Sequence, residues 1–222
     1  MDKFDEDDSV YGTKMAGLLK KIQEKGIKTS IDVVSDNSAD YGKKVIPALK
    51  YSNYVIINEI ECCRIFNLEA YDKNGKLDRK NIKFAMESMV KAGVKDKVII
   101  HCKETAFALD VKTNEFIEVP SLKIKKEMIK GSVGAGDTFC AGSLYGIYHG
   151  LTDEETLKFA SALKTNSFQL RNNQLYLRPQ HLYFLQVWQY MLPKQLHHCR
   201  IGHSLLYLVY ECASPIYAIL NL

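Results

Sequence analysis

The stretch that decides the fold of this chain is Lys130-Gly131-Ser132-Val133-Gly134-Ala135-Gly136-Asp137-Thr138-Phe139. Gly134, Ala135 and Gly136 carry almost no side chain, so successive backbone N–H groups can turn toward one anion. A helix is predicted to begin there, and its N-terminus adds a positive dipole end. Asp137 follows directly, where a carboxylate is well placed to accept a proton from an attacking hydroxyl. The stretch therefore predicts a phosphate-binding turn for phosphoryl transfer.

An ordinary glycine turn with a capping aspartate is the alternative interpretation of the same residues. Glycines are common in turns, and an Asp at a helix start often stabilises the first turn. The spacing over residues 131–136 is Gly-x-x-Gly-x-Gly, unlike the dinucleotide-binding Gly-x-Gly-x-x-Gly, and no Walker-type Gly-Lys-Ser/Thr follows. Spacing alone leaves both interpretations open.

Two motifs resemble those of the ribokinase-like (PfkB) carbohydrate kinases. Residues 134–142 resemble the family's Gly-Ala-Gly-Asp signature, and Asn58-Glu59-Ile60-Glu61 resembles its Asn-x-x-Glu motif. Their order and separation also match, and the resemblance runs from about Tyr11 to about Ala162. It implies an α/β fold with a three-layer core, in which helices flank a mostly parallel sheet. It also implies ATP and Mg²⁺ as cofactors and a sugar or sugar-like small molecule as substrate.

The resemblance also assigns roles to individual residues. It implies that Asp137 is the catalytic base and that residues 134–136 form the anion hole for the transferred phosphoryl group. Asn58 and Glu61 would organise Mg²⁺ and phosphate through water; the alternative is that they only cap the helix after the strand. Ser132 joins them in the nucleotide-binding set, although Thr is usual at its position.

The chain departs from the family at two further places. Gly131 stands where an acidic or amide residue is common. Residues 98–106 resemble the strand and turn that border the nucleotide, but the usual glycines are missing. Neither His101 nor Lys103 is therefore predicted as a ligand.

Hydrophobic periodicity alternates between helix and strand over the first 162 residues. The predicted helices are an apolar stripe over residues 11–22, then 39–50, 78–92, 135–149 and 153–163; the predicted strands are 27–34, 54–57, 97–102, 105–110 and 115–119. Ala141, Gly142 and Gly146 are expected to let their helix lie close against the sheet. Asn58 follows a buried strand, and sites in open α/β sheets lie at such strand ends.

Composition indicates an ordinary globular protein. The chain has 222 residues, of which 46% are hydrophobic and 25% charged, enough for one sizeable core. Six cysteines without a Cys-x-x-Cys pair, and without a preceding secretory signal, favour reduced thiols in a cytoplasmic protein.

Residues 163–222 differ in composition from the rest. They hold five basic residues and one acidic residue, which accounts for the whole net charge of +4. The basic residues are scattered among leucines, so no nucleic-acid partner is predicted. The apolar runs 205–210 and 216–220 fall short of the roughly 20 residues of a bilayer helix, so no membrane anchor is predicted. His197, His198 and His203 lack nearby carboxylates, and zinc is not indicated.

We therefore interpret residues 1–162 as a partial kinase core and residues 163–222 as an unassigned tail, frame-shifted or poorly ordered. The family's sugar-binding half and lid are absent, which leaves ribose, fructose, a keto-deoxy sugar acid and a nucleoside open as substrates. We expect little or no kinase activity from such a truncated chain, and self-association, including homodimers, through open sheet edges. The alternatives are a tail that covers the exposed face, and a non-catalytic remnant that serves only in folding or association.

Overall fold

The computed structural model describes residues 4–35, 38–125, 127, 129–168 and 217–221. Its strands are β1 (Asp7–Asp8), β2 (Gly12–Thr13), β3 (Lys28–Asp32), β4 (Tyr54–Asn58), β5 (Lys97–His101), β6 (Thr105–Asp110), β7 (Phe116–Pro120) and β8 (Tyr217–Asn221). Its helices are α1 (Lys14–Glu24), α2 (Tyr41–Leu49), α3 (Glu59–Arg64), α4 (Arg79–Ala92), α5 (Ala135–Tyr148) and α6 (Asp153–Ser167).

The central sheet has the strand order β7-β6-β5-β4-β3-β8. Strands β5, β4, β3 and β8 run parallel, and β6 and β7 are antiparallel, as the predicted hairpin requires. The carboxyl ends of parallel strands meet at one edge of a sheet. Asp32, Asn58 and His101, which end β3, β4 and β5, therefore share that edge, and Asn58 lies opposite His101 in the register.

Helices cover both faces of the sheet, which confirms the predicted three-layer α/β architecture. Helices α1 to α4 pack on one face, where Leu19, Leu49 and Met86 are fully buried. Helices α5 and α6 pack on the other face through Phe139 and Leu157. The middle of strand β4 is apolar because Val55 and Ile57 enter one core and Ile56 enters the other.

Local signals account for most helix boundaries. Asp78 caps α4 by accepting hydrogen bonds from two backbone N–H groups, and Gly93 ends it at φ +117°. Thr152 and Glu155 form the predicted capping box before α6. Helix α6 continues to Ser167, beyond the predicted end at residue 163. The six residues of α3 are too few to show clear periodicity, and the helix after β4 was predicted only through the alternative role of Asn58 and Glu61 as its cap.

The small residues of α5 serve a different contact from the one predicted. A Cβ atom on Gly142 would lie 2.8 Å from Ala160 Cα, and one on Gly146 would lie 2.6 Å from Thr156 Oγ1. Both neighbours belong to α6. The expectation that these glycines approach the sheet was therefore wrong: they bring two helices of the same layer together.

Part of the tail lies in the sheet. Strand β8 supplies a parallel neighbour to β3, with Thr29 opposite Ala218 and Asp32 opposite Asn221. The predictions on residues 163–222 otherwise fall largely outside the described residues, among them those on His197, His198, His203 and the apolar run 205–210. Among the helices that the structure describes, none is long and apolar enough to cross a membrane.

We predict that Gly142→Ala lowers the free energy of unfolding by about 1 to 3 kcal/mol, because the new methyl group overlaps the backbone of α6. The matched control is Gly17→Ala in α1, where the nearest atom is the ring atom Cδ2 of Tyr11 at 3.1 Å. That ring can shift, so improved helix propensity makes Gly17→Ala neutral or stabilising. Urea denaturation of both variants checks the prediction, and equal stability of the two would contradict it.

Candidate active site

The glycine stretch forms the N-terminus of α5. Gly134 precedes the helix at φ +79°, a left-handed conformation that favours glycine. The N–H of Ala135 donates to Ser132 O at 3.2 Å, and the N–H of Thr138 donates to Gly134 O at 2.9 Å. The N–H groups of Gly136 and Asp137 donate to no described residue. The first turn therefore presents unpaired donors, as an anion-binding turn requires.

Three carboxylates lie near one another at this edge of the sheet. Burial, and then the negative charges of Glu61 and Asp137, raise the pKa of Asp32 from its ordinary value of 3.8 to about 7. Asp137 itself is exposed in the first turn of α5. Sequence reasoning missed Asp32, although it lies near the end of a predicted strand. The cluster creates a negative field that suits a cation and, with it, phosphate groups.

Asn58 and Glu61 form a capping box at the start of α3. The Glu61 N–H donates to Asn58 Oδ1 at 2.9 Å, and the Asn58 N–H donates to Glu61 Oε2 at 3.1 Å. Ser35 Oγ donates to Glu61 Oε1 at 2.8 Å. Burial is the main cause that raises the pKa of Glu61. The Asn-x-x-Glu spacing therefore has a structural role, which holds both side chains at the carboxyl edge of the sheet.

His101 lies against the glycine stretch from the neighbouring strand. Its Cε1 and Nε2 atoms are 3.6 Å from the position that a Cβ on Gly136 would take. Its ring centroid is 5.0 Å from that of Phe139. Burial, and then the positive charge of Lys164, lower the pKa of His101 to about 3, so the imidazole is neutral at physiological pH. His101, which the sequence did not predict as a ligand, thus borders the anion-binding turn.

The end of α6 also reaches this region. Lys164 Nζ donates to Cys102 O at 2.9 Å, just beyond β5. The N–H of Lys130 donates to Phe168 O at 2.7 Å, which ties the segment before the glycine stretch to the end of α6. Ser132, predicted in the nucleotide-binding set, is exposed within that segment. The described part of the chain thus holds the glycine stretch between α6 and the ends of β4 and β5.

The structure is thus an α/β fold in which a glycine turn at a helix N-terminus lies beside a carboxylate. Residues 8–169 match the family model described as pfkB family carbohydrate kinase, and the chain belongs to this family. A comparison with curated proteins finds no match.

Solved structures of ribokinase-family kinases share the fold. Ribokinase from Arabidopsis thaliana, complexed with ribose and ATP, has 19% identity and a TM-score of 0.57. The match covers 71% of this chain and 46% of the ribokinase chain. Adenosine kinase from Schistosoma mansoni, complexed with 2-fluoroadenosine, has 21% identity and a TM-score of 0.60. The match covers 77% of this chain and 49% of the adenosine kinase chain. 2-Dehydro-3-deoxygluconokinase from Thermotoga maritima has 18% identity and a TM-score of 0.56. The match covers 78% of this chain and 55% of that kinase chain. This chain therefore spans about half the length of these structures, and the predicted ribokinase-like fold is confirmed.

The pKa of Asp32 predicts how stability changes with pH. Between pH 4 and 7 the folded protein keeps a proton on Asp32 that the unfolded chain has lost, so unfolding free energy falls as pH rises. We expect Asp32→Asn to reduce this fall by about 2 to 3 kcal/mol between pH 5 and 8. Urea denaturation at both pH values, in the presence of a chelator, measures the change. Asp40→Asn is the control, because exposed Asp40 has a lowered pKa and is already ionised at pH 5. Equal slopes for wild type and Asp32→Asn would refute the prediction.

Proposed function

We propose that this protein transfers the γ-phosphoryl group of ATP to a hydroxyl group of a sugar or sugar-like small molecule. Its membership of the pfkB carbohydrate kinase family supports this reaction class. The observation that carries the proposal is the first turn of α5, where the unpaired N–H groups of Gly136 and Asp137 adjoin the exposed Asp137 carboxylate. Anion-binding groups and a proton acceptor thus occupy consecutive positions.

In this mechanism Asp137 accepts the proton of the attacking hydroxyl as the new bond to phosphorus forms, while the bond from that phosphorus to the bridging oxygen breaks and ADP leaves. The backbone of residues 134–136 stabilises the negative charge that develops on the transferred phosphoryl group. The left-handed Gly134 fixes the direction of this turn, and the N–H groups of Gly136 and Asp137, which donate to no described residue, are available without the loss of a hydrogen bond. Ser132, in the segment before the turn, belongs to the donor-binding set in this proposal.

Magnesium fits the residues at the neighbouring strand ends. Asn58 and Glu61 offer oxygen atoms, which Mg²⁺ prefers, and the carboxyl group of Asp32 lies near that of Glu61. Among the described residues, no group of three or more His, Cys, Asp or Glu side chains is placed to hold a metal ion. Asn58 and Glu61 would therefore hold the ion through water. Bound Mg²⁺ would neutralise charge on the donor phosphates.

The proposal covers the chemical class of the acceptor and the assembly of the protein, but does not name one acceptor. Ribose, fructose, a nucleoside and a keto-deoxy sugar acid remain candidate acceptors. We retain the division into a partial kinase core, residues 1–162, and a tail, residues 163–222, with a homodimer as the expected assembly. The pairing of β8 with β3 supports a tail that covers this sheet edge. A non-catalytic remnant is the opposing outcome in the experiments below.

We predict that Asp137→Asn lowers turnover by about 10² to 10⁴ while donor affinity changes little, because a general base acts mainly in the transition state. A panel of sugars and nucleosides, with the longest soluble form of the protein, gives the rates, and calorimetry with MgATP gives the affinity. Glu154→Gln, at an exposed position in the first turn of α6, is the matched control. Unchanged turnover in Asp137→Asn would eliminate its assignment as the base. Donor binding without turnover on any acceptor would favour the non-catalytic remnant.

We also predict that Glu61→Gln and Asn58→Ala raise the magnesium concentration needed for half-maximal rate, because both remove groups that orient the hydrated ion. Asn58→Ser is the control for the capping role, since serine also caps helices well. A magnesium titration of the three variants separates the two roles. If all three variants need the same magnesium concentration as wild type for half-maximal rate, Asn58 and Glu61 act only as a helix cap.

A further inference from the structure

Lys164 occupies an unusual position behind the anion-binding turn. Its side chain leaves α6, and its Nζ lies 5.8 Å from the ring centroid of Phe139, which belongs to α5. The Phe139 ring in turn contacts His101, whose imidazole lies against Gly136. The ammonium, the imidazole and the aromatic ring thus form one cluster on the side of the turn that faces the end of β5.

The ammonium group of Lys164 is partly buried, and few protein groups replace the hydration that it loses. Its only hydrogen bond to a described residue goes to the neutral carbonyl oxygen of Cys102. No carboxylate of the described residues lies within ion-pair distance of Nζ. Burial lowers the pKa of Lys164, and the more distant charge of Glu59 opposes this only in part. Lys164 is partly buried, and a partly desolvated cation without a paired anion is unfavourable, so it fits a site that an anion enters.

Glu59 is already engaged elsewhere. It is 8% exposed, and its Oε1 accepts a hydrogen bond of 2.6 Å from the Tyr71 hydroxyl. Its carboxylate is therefore held toward α3 and the segment before α4. The remaining N–H donors of Lys164 are left for a ligand on the side of His101 and Gly136.

We propose that Lys164 is a donor-binding residue whose ammonium group binds the phosphate chain of the phosphoryl donor beside the turn formed by residues 134–136. This inference rests on the proposed function, and it adds a positive charge that the family motifs in this sequence do not contain. The backbone N–H groups of the turn bind the transferred group, and Lys164 binds the phosphate oxygens next to it. The neutral His101 fills the space between them without repelling the ammonium.

A purely structural role is the competing interpretation. In that role Lys164 only ties α6 to the turn after β5 through the Cys102 carbonyl. The two roles differ in what they require: a tie requires any hydrogen-bond donor, whereas a phosphate site requires positive charge. Lys164→Gln separates them, because the glutamine amide still donates a hydrogen bond but carries no charge.

The test is calorimetric titration of the full chain with MgATP and, separately, with magnesium pyrophosphate, which has the phosphates but no nucleoside. We expect Lys164→Gln to weaken both by about ten- to hundredfold, the usual effect of losing a hydrogen bond between charged groups. Its thermal midpoint should stay close to that of wild type. Lys164→Arg should keep most of the affinity, since it retains the charge. Lys158→Gln, on the exposed face of the same helix, is the matched control and should bind like wild type.

Equal binding by Lys164→Gln and Lys158→Gln would overturn the role of Lys164 and leave the proposed function intact. A loss of affinity in Lys164→Gln that Lys164→Arg also shows would identify packing, not charge, and would overturn it as well. If wild type binds neither MgATP nor magnesium pyrophosphate, the proposed function itself fails, and the inference fails with it.

Discussion

The candidate site depends on the parallel alignment of β3, β4 and β5. Because these strands run in the same direction, their last residues, Asp32, Asn58 and His101, come to one edge of the sheet. Helix α5 then needs only to begin at that edge for Asp137 to meet them. The left-handed backbone at Gly134 makes this start possible, since it turns the chain into the helix beside the strand ends.

Packing between α5 and α6 determines where that start lies. Gly142 and Gly146 let α6 approach so closely that a single methyl group would overlap its atoms. The close approach carries Lys164 to the carbonyl of Cys102 and holds the segment before the glycine stretch through Phe168. The position of the site residues on α6 thus depends on the packing of α5 against α6, although Gly142 and Gly146 are not themselves site residues.

Electrostatics divides the site into two sides. Asp32, Glu61 and Asp137 place three carboxyl groups near the ends of β3 and β4, and burial is the main cause that raises the pKa of Asp32, to about 7, and that of Glu61. Near the end of β5, burial lowers the pKa of Lys164 and of His101, because it disfavours their positively charged forms. A ligand that brings a cation to the first side and phosphate oxygens to the second would satisfy both, which is the charge pattern of a magnesium-bound phosphoryl donor.

The sequence by itself determined the elements that follow from short-range backbone chemistry. Glycine and capping signals predicted the start of α5 at residue 135 and the ends of α4, and alternating periodicity predicted an α/β repeat; the three-layer core was implied by the family resemblance. Only the tertiary structure decided which separate elements meet. It placed His101 against Gly136, Lys164 under the turn after β5, and Gly142 against α6 and not the sheet. Capping and turn conformation are local in sequence, whereas these contacts join residues that are far apart along the chain, and only the packing of layers brings them together.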